Sequence, residues 1–275
     1  MTHRRIKPSA AAAYAILVLF GLFFLLPFIW LIVASFTPNA TLSTTVPNHV
    51  GLDNFRFLFD NGDVFQPFGN SLLLGLSTMV ITITLAGLAA YPLSRYQFRF
   101  KRPLMYAILF ASGLPILALV TPLYAMYVSL NLIDTTRGVI LFLVASALPF
   151  SIWLMKNFLD SVPVELEEAA WVDGASVLGS FWRVVLPLSA PGIAVVGILS
   201  FLNAYTNFFV PFIIYTTASH FPASVQLFIF FGSYGQVNYG QLAAFAMLYA
   251  LPAVALYMVV SRFLVRGINV GGLRG

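Results

Sequence analysis

Polar positions along the chain gather in short groups that separate long apolar runs. A membrane-crossing helix needs about 20 mostly apolar residues at 1.5 Å rise each. Six runs meet that length: residues 11–35, 71–91, 104–128, 138–155, 190–214 and 243–261. The pattern predicts an all-α polytopic membrane protein with six transmembrane helices, forming one membrane domain over residues 1–275. His3, Arg4, Arg5 and Lys7 precede the first run, as they would in a secretory leader. The uncharged stretch Pro8–Phe36, however, far exceeds the roughly 7–15 residues of a leader's apolar core, so it reads as an uncleaved first helix. Pro27, Pro115, Pro122, Pro149, Pro211 and Pro252 fall within spans, where each removes a backbone donor and bends its helix.

Lys and Arg in the connections set the orientation. Twelve of them (Arg4, Arg5, Lys7, Arg95, Arg99, Lys101, Arg102, Lys156, Arg183, Arg262, Arg266 and Arg274) fall on one side, against Arg56 and Arg137 on the other. Both termini are therefore expected in the cytoplasm. The outer connections are about 36–70, 129–137 and 215–242. The last contains Val225–Phe231, an apolar run too short to cross, which reads as a loop dipping toward the membrane or packing over the helices.

Composition narrows the function. Of 275 residues, 60% are apolar and only 8% are charged, with a mean hydropathy of +0.92. Soluble domains carry about 25% charged residues. A soluble enzyme, a nucleic-acid-binding module and a disordered tail are excluded, because so much apolar surface needs lipid to cover it. The formal charge of +5 is scattered between spans and forms no basic face for nucleic acid. With no cysteine there is no disulfide, thiolate metal site or cysteine nucleophile.

The six runs contain no Asp, Glu, Lys, Arg or His, which disfavours proton coupling through mid-membrane ionisable groups. No GxxxxGK[ST] phosphate loop is present, so nucleotide chemistry driving any active transport would reside on another polypeptide. His3, His49 and His220 are too scattered for metal ligation and read as solvated loop residues.

The informative stretch is the cytoplasmic loop 158–187 between the fourth and fifth runs. Pro163 suits a helix first turn, with Glu165, Glu167 and Glu168 near its positive end. Gly174 can take the left-handed conformation that stops a helix. Ser176 then offers an N-cap to a second helix over 177–185, ended by Pro187. Leu166, Ala169, Ala170 and Asp173 share one face of the first helix. Small side chains beside acids suit a partner's groove. The same spacing also fits an amphipathic connector lying on its own membrane domain.

Glu168-Ala169-Ala170, three residues, Gly174, nine residues, then Val184-Val185-Leu186-Pro187 resembles the E-A-A-x3-G-x9-I-x-L-P signature of ABC-importer permeases, departing from it by one methylene at Val184. Asn70-Ser71, Ala89-Ala90-Tyr91 through Arg95-Tyr96-Gln97-Phe98, Pro122-Leu123-Tyr124 and Leu148-Pro149-Phe150 resemble the carbohydrate-importer permeases. The tail, Val265-Arg266-Gly267 to Leu273-Arg274-Gly275, is similar to the smaller, six-helix permease of the maltose type. Tyr205-Thr206-Asn207-Phe208 stands where relatives often have Trp-Asn-Asp/Glu-Phe, which leaves the solute less constrained than the architecture.

The resemblance implies a bacterial or archaeal cytoplasmic-membrane permease subunit, with a second permease, an ABC ATPase dimer and an extracytoplasmic sugar-binding protein as partners. It implies no cofactor in this chain, ATP and Mg²⁺ being held by the ATPase, and no enzymatic activity of the chain's own. Glu168, Ala169, Ala170, Asp173, Gly174, Leu186 and Pro187 become the ATPase-coupling residues. Asn203, Tyr205, Thr206 and Asn207 gather polar groups in the fifth run; they suit sugar hydroxyls and C–H faces, and equally the bridging of packed membrane helices. The residues alone would also allow a stand-alone carrier or channel for a small neutral solute. A membrane-bound transferase would need an acid, metal or nucleophile constellation that Asp160 and Glu165 do not supply.

Overall fold

In hydrocarbon an unpaired backbone amide has no water to turn to, so spanning segments close their hydrogen bonds internally. Every regular element among the described residues of the computed structural model is accordingly helical. The structure describes residues 8–42, 49–60, 64–113, 115–232 and 237–271. His3, Arg4, Arg5, Lys7 and the tail from 272 to 275 lie outside them.

In chain order the helices are α1 (Pro8–Ser35), α2 (Asp53–Asp60), α3 (Phe65–Arg95), α4 (Lys101–Ser112), α5 (Ile116–Ser129), α6 (Thr136–Asp160), α7 (Val164–Val172) and α8 (Val177–Ser180). A π-helical turn, Phe181–Val185, leads into α9 (Leu186–Leu188). Then come α10 (Ala190–Tyr205), α11 (Phe209–Ile214), a 3-10 turn at Ala218–His220, α12 (Ala223–Gly232) and α13 (Tyr239–Gly271).

Four stretches are each long and apolar enough to cross a membrane: Ala13–Ser35, Phe65–Arg95, Thr136–Asp160 and Tyr239–Val259. The helical run Val177–Leu188 and α10, bent by 76° at Ser189, together make a fifth candidate. The expected third span is two shorter helices, α4 and α5, parted around Pro115, whose backbone is extended.

Three local expectations are corrected. Helical structure runs through Pro187 to Leu188, because the π turn widens the helix there and the Leu186 N–H reaches back to the Phe181 carbonyl. The fifth run is interrupted at 206–208, where Pro211 removes a donor and Asn207 Oδ1 accepts the Val210 N–H (3.0 Å) to open α11. The apolar run 225–231 is helical rather than loop. No breaker interrupts it, and the Ser71 hydroxyl accepts the Ala223 N–H (2.9 Å) at its start.

The chain divides into two compact units. The first takes in α1, α2 and residues 227–251. Its anchor is Asn54, whose buried amide donates to the carbonyls of Ser35 and Thr37 (both 3.0 Å). Gly240 lies against that amide so closely that a Cβ would sit 2.5 Å from Asn54 Nδ2. Residues 13–29 of α1 are all exposed in this unit, and only Ala34 and Ser35 at the end of the helix are buried.

The second unit spans 65–226 and 252–275, and its core is α3 and α6 packed side by side with α10 against both. One apolar cluster joins Leu74, Val139, Leu143 and Ala204; another joins Ala86, Ala90, Met155, Phe181, Val185 and Val196. Between them in sequence register lie buried hydroxyls: Thr78, Thr82, and the Ser151–Ser200 pair (3.5 Å).

At the end of this unit that charge bias assigns to the outside, Asp134 is held at positive φ (58°) and clasps the loop after α11. Its carboxylate accepts from the Thr217 hydroxyl (2.5 Å), the backbone N–H groups of Thr216 (3.0 Å) and Thr217 (3.1 Å), and pairs with His220 Nδ1 (3.1 Å). His220 is thus a clasp member, contrary to its reading as a solvated loop residue. Asn70 adds donations to the carbonyls of Ser219 (2.9 Å) and Phe221 (3.1 Å).

Two outcomes follow. Gly192 abuts Phe158, and an added Cβ would fall 2.2 Å from its Cγ. Gly192→Ala should destabilise the chain by about 1–3 kcal/mol in detergent unfolding, with partial recovery when Phe158→Ala is added. The Thr217 hydroxyl first, then the Thr216 N–H, hold the Asp134 carboxyl well below the usual carboxylate range. A depressed folded value means the clasp contributes its full stability above the unfolded value near pH 4 and loses it progressively as pH falls from there through the folded value. Protection of the Thr216 and Thr217 amides from hydrogen exchange, relative to their intrinsic rates, should therefore fall progressively below about pH 4, and Asp134→Asn should remove that loss.

Candidate functional site

The loop after α6 folds as an elbow. Pro163, extended at φ −55° and ψ 132°, starts α7 where its missing N–H is not needed. The helix closes with paired terminal bonds: the Gly174 N–H donates to the Trp171 carbonyl (3.0 Å) and the Ala175 N–H to that of Ala170 (2.9 Å). This closure puts Gly174 at φ +88°, a conformation L side chains avoid. A Cβ there would meet nothing within 4 Å, so backbone conformation, not space, selects glycine. Ser176 then caps α8 by accepting the Gly179 N–H (3.1 Å). Trp171 ties the arms together, its indole donating to the Ser180 hydroxyl (2.8 Å).

Of the sequence-predicted coupling residues, Glu168, Ala169, Asp173 and Gly174 are exposed, and Ala170 is half-buried beside them. Among the described residues Glu168 has no salt-bridge partner. Leu186 packs on the second core cluster, while Pro187 is exposed on the far arm. The elbow thus brings Glu168 to Gly174 onto one open surface and uses Leu186 as a root.

Sequence reasoning missed the residue that fixes this elbow. Glu167 is the one buried side chain of α7, with 0% exposure. Its Oε1 accepts the Tyr91 hydroxyl at 2.7 Å, and its Oε2 is ion-paired with Arg95 Nε, whose side chain is only 8% exposed. Arg95 Nη1 also donates to the Leu159 carbonyl at the end of α6 (3.1 Å). The neighbouring Ser94 hydroxyl donates to Asp160 (2.6 Å), which pairs in turn with Lys156. Tyr91 and Arg95 stand four apart on one face of α3, so their pairing was readable from spacing. Their common partner, 72 residues beyond Arg95, was not.

The four span-five candidates separate. Asn203 and Thr206 are exposed, whereas Tyr205 is buried and stacked on Phe201 (centroids 5.2 Å apart). Asn207 is occupied at both ends, capping α11 and accepting the Ser224 hydroxyl on its carbonyl (2.8 Å).

Residues 82–270 match the family described as binding-protein-dependent transport system inner membrane component. The chain belongs to that family. The match takes in the elbow, Tyr91 and Arg95, and identifies the chain as a multi-pass inner-membrane permease. It is 34% identical to the trehalose transport system permease protein SugB of Mycobacterium tuberculosis, over 91% of this chain and 93% of that one. Against the arabinooligosaccharides permease AraQ of Bacillus subtilis the identity is 29%, covering 94% and 93%. The fold of the permease is shared with a crystal structure of a bacterial ABC transporter that imports the acidic polysaccharide alginate: TM-score 0.81, 20% identity, 95% of this chain and 98% of that chain.

Burying a charge without its partner is costly, whereas exposed acids contribute little. Glu167→Ala should destabilise the permease by about 3–5 kcal/mol, because Arg95 is left buried and uncompensated. Glu168→Ala should stay within about 0.5 kcal/mol. Unfolding of both variants in detergent checks the contrast.

Proposed function

We propose that this permease forms, with a second permease subunit, the membrane pathway of a sugar importer driven by separate ATPase subunits. The observation that carries the reading is the open surface of α7: Glu168, Ala169 and Asp173 face outward, while one buried side chain roots the helix. Small residues at 169 and 170 let another protein's backbone come close, and the flanking acids suit basic groups on it. The Gly174 turn fixes the angle at which that surface is offered.

In this reading ATP and Mg²⁺ are held and hydrolysed by the ATPase dimer, and the chain itself is no enzyme. An extracytoplasmic binding protein delivers the solute. ATP binding must favour one conformation of the assembly over the other, since a ligand of equal affinity for both shifts nothing. The names of the relatives, which transport trehalose and arabinooligosaccharides, support a sugar as solute. Asn203 and Thr206, exposed near the end of α10, are the pathway contacts; Tyr205 and Asn207 shape the break that presents them.

The test separates docking from folding. Ala169→Arg with Ala170→Arg should leave membrane insertion intact while abolishing ATPase co-purification and ATP-driven uptake. Gly174→Pro should do the same, because proline cannot adopt the positive φ. Full ATPase association and uptake in these variants would overturn the assignment.

A further inference from the structure

The Glu167–Arg95–Tyr91 site contains a mismatch that a purely static anchor would not need. A guanidinium grips a carboxylate best along the edge carrying Nε–H and Nη2–H, which are parallel and match its two oxygens. Here Nε holds Oε2, but Oε1 is turned to the Tyr91 hydroxyl. Arg95 Nη2 is left buried with no hydrogen-bond partner among the described residues. Nη1 cannot substitute, because it faces away from that edge and is committed to the Leu159 carbonyl and, at 3.4 Å, the Ser94 hydroxyl. A buried donor of a charged group without an acceptor is unfavourable. Nη2, on the same edge of the guanidinium as Nε, is therefore a second candidate donor for the carboxylate.

We propose that Glu167 is a two-position switch at the root of α7: Oε1 rests on Tyr91 in the state seen here and swings onto Arg95 Nη2 when α7 is displaced. In the second position the pair becomes a two-bonded fork and Tyr91 is released. Oε2 stays on Nε throughout, so the charge is never unpaired and the motion is confined to a small rotation of the carboxylate. Arg95 is the pivot of the switch. Its Nη1 is fixed to the end of α6 and its backbone is the last residue of α3, so displacement of α7 is referred to both core helices. None of the other α7 side chains is buried, and the Trp171 indole on Ser180 makes α8 move with it. Arg95 and Tyr91 are positioning residues for coupled transport, a role that rests on the reading of α7 as the ATPase-facing helix.

The switch makes a prediction that a static anchor does not. Each donor can replace the other at Oε1, so losing one is partly compensated and losing both is not. Tyr91→Phe removes the first donor with little change of shape. Arg95→Lys keeps the charge but has no second edge nitrogen. Hydrogen exchange of the α7 amides, measured on the full chain in lipid nanodiscs, should be faster in the double variant than the product of the two single changes by about ten-fold or more. Rates that simply multiply would overturn the switch.

A second readout uses the assembled complex with Mg-ATP and no binding protein. Tyr91→Phe favours the forked position and Arg95→Lys forbids it, so their rates of ATP hydrolysis should fall on opposite sides of wild type. Shifts of the same sign, or none, would overturn the proposal. If the wild-type chain retained no ATPase at all, the docking reading would fail, while the exchange measurement on the chain alone would still decide the switch.

Discussion

A carboxylate with no exposed surface must be neutralised where it lies, and the placement of Glu167 makes that requirement the organising constraint of the cytoplasmic end. Stripping an ion of water costs several kcal/mol even after the protein relaxes, and attraction offsets this only with a close partner and further hydrogen bonds. Arg95 supplies the opposite charge and Tyr91 a hydroxyl. Because Arg95 ends α3 and its guanidinium also holds the Leu159 carbonyl near the end of α6, the same pairing joins three helices. The hydrogen bond from Ser94 to Asp160 repeats the α3–α6 tie a short distance away. Glu167 is the one buried side chain of α7, so the polar root is what ties this helix to the core.

The same economy explains which features could be read from the sequence. Long apolar runs forced the helices, because hydrocarbon leaves a backbone no alternative, and α1, α3, α6 and α13 cover the expected runs and extend past them by up to ten residues. The elbow was also legible: Gly174 at positive φ and Ser176 as an N-cap are local chemistry that neighbouring residues decide. Glu167 was not. In one dimension it is simply the middle acid among Glu165, Glu167 and Glu168, and the helix turn that sends it inward while Glu168 points outward depends on where α3 lies. The signature centred on Glu168 drew attention to the exposed neighbour and away from the buried one.

Prolines account for most of the remaining differences, and they do so in three distinct ways. Around Pro115 the chain goes extended and divides α4 from α5. Near Pro211 the break between α10 and α11 is closed by Asn207: its side chain accepts the Val210 N–H, and its backbone carbonyl, which Pro211 leaves without a donor, accepts the Ser224 hydroxyl. At Pro187 helical structure persists, because the preceding π turn shifts the bonding by one residue and the missing donor does not interrupt it. Hydropathy alone treats all three as apolar positions within a run. Only the local hydrogen-bond accounting tells a break from a bend, and that accounting depends on side chains such as Asn207 that a hydropathy profile scores as merely polar.

The exposed face of α7 supports docking over a connector role through what it leaves uncovered. An amphipathic helix lying on its own bundle would turn its apolar residues inward, each buried leucine or valine contributing about 1.5–3 kcal/mol. In α7 the one side chain turned inward is charged, while Leu166, Trp171 and Val172 remain exposed. Val172 is 88% exposed. A helix that forgoes this apolar burial, yet is rooted by an ion pair and stopped by a glycine at an unusual φ, is specified in orientation more than in stability. Such a design suits a surface completed by a second protein, with Ala169 and Ala170 giving close approach and Glu168 and Asp173 giving charge. The root then matters as much as the face, because a surface that could pivot freely would absorb an applied displacement without passing it to α3 and α6.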